Sequence, residues 1–137
     1  MNVLNQNVLD KQISYLKKIK YKNILQELKL EYTIDEPPED QEPYIYLVLI
    51  KIKRSQQNKG YGSAVMSEVC KLADEYQVNI VLFATNLFGA DLKRLYTFYR
   101  KHGFVLIKKN NDGKFVYRPI KKHVKSVTNL EGFRINK

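Results

Sequence analysis

The run Tyr44-Ile45-Tyr46-Leu47-Val48-Leu49-Ile50-Lys51-Ile52 constrains this chain most, because nine consecutive residues carry a single charge and are rich in β-branched and aromatic side chains. Such a run suits a strand buried on both faces, and it is expected at the centre of a sheet. A polar turn from Arg54 to Ser63 follows, with Gly60 and Gly62. Val65, Met66, Val69, Leu72 or Ala73, and Tyr76 then fall at helical spacing. Strand, glycine turn and helix together suit a diphosphate, because glycines leave the backbone uncovered where unpaired N–H groups meet the positive end of the helix dipole. A sharp connection without a ligand also uses glycine. Walker A fails, since no Gly-Lys-Ser/Thr closes the turn. The dinucleotide fingerprint fails too, with Val65 at its third small position and no acidic residue ending the next strand.

Before this unit, Leu9, Ile13, Leu16, Ile19, Ile24, Leu25 and Leu28 follow three- and four-residue steps, which predict one long or two short helices between Leu4 and Leu28. Leu30 to Ile34 reads as a strand. The acidic, proline-rich residues from Asp35 to Pro43 read as an exposed loop. After it, Val78 to Ala84 is a second buried strand, and Ala90 to His102 returns to helical spacing through Leu92, Leu95, Phe98 and Tyr99. Gly103 stands where a left-handed residue ends a helix. Phe104–Ile107 and Lys114–Arg118 flank Asn110-Asn111-Asp112-Gly113, a turn signal that predicts a closing hairpin. Residues 119–137 form a basic tail.

With 137 residues the chain is expected to be one domain, with a core over 30–118, an N-terminal helical region over 1–29 and the tail. Lys and Arg number 24 against 14 Asp and Glu, a net charge of +10, which makes phosphate-bearing partners, nucleic acid among them, plausible without naming one. One cysteine, Cys70, forms no intrachain disulfide and favours a reducing, cytoplasmic setting. With two histidines it builds no Cys/His zinc cluster. No apolar run reaches membrane-spanning length. Cys70 reads as a buried small residue, and His102 and His123 as a helix-terminal cation and a solvated surface residue.

Gln57-Asn58-Lys59-Gly60-Tyr61-Gly62, preceded by an apolar strand, resembles motif A of the GCN5-related N-acetyltransferases. Phe98-Tyr99-Arg100-Lys101-His102-Gly103-Phe104 resembles the aromatic-Tyr-x-x-x-Gly-Phe block on that family's last helix. The resemblance covers roughly Leu30 to Arg118. It implies an α/β fold of α+β type, with a mixed central sheet flanked by helices that splays open after its fourth strand, here shortened at the N-terminus. It implies acetyl-CoA as co-substrate and no metal. The pantetheine arm would pair with Ile50 and Ile52. Gln57, Asn58, Lys59, Gly60, Tyr61, Gly62 and Ser63 would cradle the diphosphate, and Asn86 would contact the pantetheine.

By that resemblance the chain transfers acetyl to a primary amine by direct attack. Tyr99 is then the general acid, since a phenol with an ordinary pKa of about 10 keeps its proton at neutral pH. Arg54, Lys59 and Arg94 are candidates for the cofactor's adenosine phosphates. No base is assigned; Glu31 and Asp35 are candidates. Lys51, where relatives often carry an acid, points to a different acceptor or a degenerate site. The acceptor classes are a protein lysine, an aminoacyl-tRNA amine or a small amine. The competing reading is a nucleic-acid-binding or regulatory module that keeps the fold without turnover; a third is a structural domain without ligand.

Overall fold

The computed structural model describes residues 3–33, 43–84, 92–108 and 113–120. Helix α1 spans Gln6–Tyr15, opened by Asn5, whose side chain accepts from the Val8 amide. It runs into a widened turn, Leu16–Lys20, closed by the Tyr21 amide donating to the Leu16 carbonyl at 2.8 Å. The extra residue in that turn swings Ile19 out to 68% exposure, whereas Leu9 and Leu16 are fully buried.

The helical expectation then fails. Strand β1 spans Leu25–Thr33 and takes in Leu25 and Leu28, whose spacing predicts a helix. It is antiparallel to β2, Tyr44–Ile52, with irregularities between Leu25 and Glu27 and between Lys29 and Leu30. A bulge puts Leu25 and Leu28 both inward, and that three-residue step imitates a helix. On the outer edge of β1, Gln6 accepts from the Tyr32 amide at 2.8 Å and donates to the Leu30 carbonyl at 3.2 Å, so one side-chain amide pairs with the strand as a backbone amide would.

A short 3₁₀ turn, Arg54–Gln56, leads to helix α2, Tyr61–Tyr76, and to β3, Asn79–Ala84. Helix α3 spans Leu92–Lys101, and β4, Val105–Lys108, pairs antiparallel with β5, Gly113–Tyr117. Among the described residues the sheet order is β1-β2-β3-β5-β4. Val65, Met66, Val69, Leu72 and Ala73 of α2 are buried in one cluster with Leu9, Leu16, Ile45, Ile80 and Phe115. Gly113, read as a turn residue, lies instead in β5, where the ring of Tyr96 occupies the space a side chain would take. No helix among the described residues is long and apolar enough to cross a membrane.

The feature that positions a site is a short ladder. β2 and β3 run parallel but pair only at Tyr44–Asn79, Ile45–Ile80 and Tyr46–Val81. Opposite Lys29 and Leu30, β2 carries an extra residue at Val48, and such a bulge bends and twists a strand. The two strands part after Tyr46–Val81, just before it. The gap follows the second strand in chain order rather than the fourth, because among the described residues only β1 precedes β2. The expectation that β2 is buried on both faces is thereby corrected: Ile45 and Leu47 are buried, but Val48 and Leu49 are 39% and 41% exposed. Their apolar side chains line an opening, not a core.

Candidate active site

That opening is a cavity of about 320 Å³ lined by Leu47 to Ile50 and Ile52 of β2, Gly62 and Met66 of α2, Leu82 and Phe83 of β3, and Leu95, Phe98 and Tyr99 of α3. Its volume falls in the range of small-molecule sites. Ile50, Ile52, Gly62 and Tyr99, four of the residues singled out from sequence, meet here. The cavity is largely apolar. Tyr99 is the one titratable side chain among its described lining residues.

Tyr99 is half-buried among aromatic rings, with centroids 5.7 Å from Phe98, 6.0 Å from Phe104 and 5.3 Å from Phe115. Burial pushes its phenol pKa further above neutrality than the ordinary value already stands. Its hydroxyl has no hydrogen-bond partner among the described residues. The backbone holds it by the way α3 ends. The Phe104 amide donates to the Tyr99 carbonyl at 3.0 Å, the Gly103 amide to that of Arg100 at 3.0 Å, and Gly103 sits at φ 92°. This is a Schellman cap, with the Phe104–Tyr99 ring contact as its hydrophobic element.

The glycine turn is open. Gly60 adopts φ 85° and caps α2 without any side-chain hydrogen bond, and a Cβ at either Gly60 or Gly62 would meet no atom within 4 Å. The Ala64 amide is the first to find a helical acceptor, the Gly60 carbonyl at 3.1 Å, so the N–H groups before it lack helical acceptors, as at any helix start. Asn58 takes φ 62°, a left-handed conformation asparagine tolerates. The residues present therefore fit a diphosphate at the turn and an apolar arm along β2.

Other sequence candidates behave differently. Gln57 is exposed and donates to the Ile52 carbonyl at 3.2 Å, bracing the turn against the strand. Tyr61 turns inward, edge-on to the buried Tyr21 ring at 6.4 Å. Lys59 reaches Gln56 at 3.5 Å. Ser63 bonds to His102, Oγ to Nε2, at 2.8 Å, and the His102 ring lies 4.9 Å from that of Phe98. Burial, then the charge on Lys101, lower the His102 pKa. His102 is thus a neutral, half-buried ring tied to the site, not the helix-terminal cation expected. Nothing in the sequence signals a pair 39 residues apart.

Glu31 is exposed and 3.7 Å from Lys29, and it does not line the cavity. Lys51, Arg54 and Arg94 are exposed. Asp35, Asn86 and His123 lie outside the described residues. Cys70 is buried, and burial together with Asp74 pushes its thiol up to about 12, which makes it an inert packing residue.

No family model and no curated protein sequence matches the chain. Solved structures do. The AtaT mutant toxin bound to acetyl-CoA and the C-terminus of the antitoxin AtaR superposes with a TM-score of 0.52 at 16% identity, over 80% of this chain and 77% of that one. AtaT complexed with acetyl-methionyl-tRNAfMet gives 0.52 at 13%, over 85% and 84%. The NatC complex bound to Gag peptide and CoA gives 0.50 at 11%, over 88% and 84%. At such identities the likeness speaks for architecture, and with the parted β2–β3 pair and the helix start beneath it, the chain has a GCN5-related N-acetyltransferase-like fold.

Proposed function

We propose that this protein transfers an acetyl group from acetyl-CoA to a primary amine by direct attack, with Tyr99 as general acid. One observation carries the reading: a single, half-buried phenol lines the same cavity as Ile50, Ile52 and Gly62. Gly60, Gly62 and the N–H groups around them bind the diphosphate. The β2 edge at Ile50 and Ile52, which is not paired with β3, holds the pantetheine as an added strand would. This aims the thioester at Tyr99. Orientation supplies most of the rate, and Tyr99 delivers its proton to the departing sulfur. The solved neighbours bound to acetyl-CoA, acetyl-methionyl-tRNAfMet or CoA support this chemistry.

Charge placement favours an acceptor amine carried on nucleic acid. The site-forming segments 43–67 and 92–108 contain Lys51, Lys53, Arg54, Lys59, Arg94 and Lys101 among their cations and no Asp or Glu. The carboxylates of the described residues, such as Glu27, Glu31, Glu68 and Asp74, sit on β1, α1 and the later turns of α2. An excess of cations in the segments that form the site raises the local concentration of a polyanion. The same excess favours a second reading, a nucleic-acid-binding module without turnover.

Transfer of labelled acetyl from acetyl-CoA into aminoacyl-tRNA, peptides and small amines, with Tyr99→Phe alongside, tests the proposal. Label in an amine, lost with Tyr99→Phe, supports it. RNA binding without any transfer leaves the module reading. Neither RNA binding nor a thermal shift with acetyl-CoA overturns both.

A further inference from the structure

We propose that His102 is a positioning residue for the acetyl donor's diphosphate, acting through Ser63. This rests on the reading that the Gly60–Ser63 turn binds that diphosphate. Ser63 lies in the first turn of α2, among the N–H groups that lack helical acceptors, and its Oγ is 2.8 Å from His102 Nε2. A serine hydroxyl has one proton to give and lone pairs to receive with. If Nε2 is bare, the hydroxyl spends its proton inward on histidine and presents only lone pairs to an anion. If Nε2 carries the proton, histidine donates to Oγ, and the hydroxyl proton is free to point outward. A diphosphate accepts and does not donate, so it selects the second arrangement and gains a charge-assisted hydrogen bond.

Two contacts hold the imidazole for this task. Its ring lies 4.9 Å from the Phe98 ring at 60°, and its amide donates to the Tyr99 carbonyl at 3.1 Å within the cap of α3. The residue that orients Ser63 is therefore fixed to the same helix end that carries Tyr99, so the diphosphate cradle and the general acid keep a set separation.

Calorimetric titration with CoA, which binds but does not react, tests this on the wild type, Ser63→Ala, His102→Ala, His102→Gln and the double alanine variant. Steady-state transfer from acetyl-CoA and from acetyl-pantetheine, which lacks the diphosphate, accompanies it. The expected result is a loss of CoA affinity of about tenfold for each alanine variant, no further loss in the double variant, and recovery to within about twofold of wild type in His102→Gln, whose amide also donates. The kinetic loss is confined to KM for acetyl-CoA and is not seen with acetyl-pantetheine. Equal losses with both donors would mean that His102 only packs against Phe98, and overturn the proposal. So would losses that add in the double variant, or unchanged CoA affinity in both single variants. A wild type that does not bind CoA at all removes the underlying diphosphate reading, and this inference with it. The Ser63→Ala and His102→Gln arms remain decisive should His102→Ala fail to fold.

Discussion

The amide of Phe104 donates to the carbonyl of Tyr99, five residues earlier, at 3.0 Å, and the two rings touch with centroids 6.0 Å apart. The residue that ends the helix thus fixes the residue facing the cavity. Between them Gly103 holds φ 92°, and a Cβ there would come within 3.3 Å of the Tyr117 ring. Gly103→Ala is expected to destabilise the protein by about 1–2 kcal/mol, the usual penalty for a left-handed non-glycine residue. Thermal melting checks it; an unchanged melting temperature would show the cap relaxes freely.

Tyr99→Phe separates chemistry from packing. The hydroxyl has no hydrogen-bond partner among the described residues, so its removal should leave the melting temperature within about a degree, since no bond is lost. Acetyl transfer should fall by about 10²–10⁴-fold, the span of general-acid contributions, with CoA affinity retained. A variant that transfers at the wild-type rate removes Tyr99 from the mechanism.

Gly62→Ala should move stability and binding in opposite directions. Gly62 has no positive φ and open space around it, and alanine in a helix is more stable than glycine by up to about 1 kcal/mol. The added methyl group, however, stands where the diphosphate approaches the backbone. The apoprotein should melt no lower than wild type, while the upward shift caused by acetyl-CoA, about 2.7 kcal/mol at a hundredfold excess over Kd, shrinks or disappears. A full shift in the variant would place the ligand elsewhere.

Cys70 should be silent and the chain sensitive to alkali. Burial, with the charge on Asp74, pushes the folded thiol up to about 12 from an ordinary value of 9.0. Between those values the unfolded chain has released a proton that the folded chain still holds, so stability present below pH 9 falls as pH rises through this window. Tyr99, raised by burial, and Tyr117, raised by burial and by its hydroxyl donating to Asp74 at 2.9 Å, act in the same direction at higher pH. Denaturant melts from pH 8 to 11 should show the decline, and Cys70→Ala should flatten its early part. A thiol reagent that labels the native protein at pH 8 as fast as the unfolded chain would contradict this.

If the acceptor amine is carried on nucleic acid, kcat/KM for that acceptor should fall linearly on a log–log plot against salt. Paired reversals Arg94→Glu and Lys101→Glu should lower it further and flatten the slope. With acetyl-CoA saturating, so that any effect on donor binding drops out, transfer to a small neutral amine should change little. A salt-independent rate with an RNA acceptor would argue that the cations of the site-forming segments serve another purpose.

The sequence by itself determined the pieces. The apolar run Tyr44–Ile52, the glycine turn, the stripe Val65–Val69 and the Gly103 stop are local signals, because strand and helix periodicity and left-handed backbone are properties of neighbouring residues. Only the tertiary structure decided how the apolar run is used: Val48 and Leu49 are as hydrophobic as Ile45 and Leu47, and pairing that stops at Tyr46–Val81 turns them from core into cavity wall. It also decided that Leu25 and Leu28 belong to a bulged strand, since a bulge is defined by the partner strand and not by the residue spacing that imitates a helix. The Ser63–His102 contact is of the same kind, because chain folding and not sequence proximity brings the start of α2 to the end of α3.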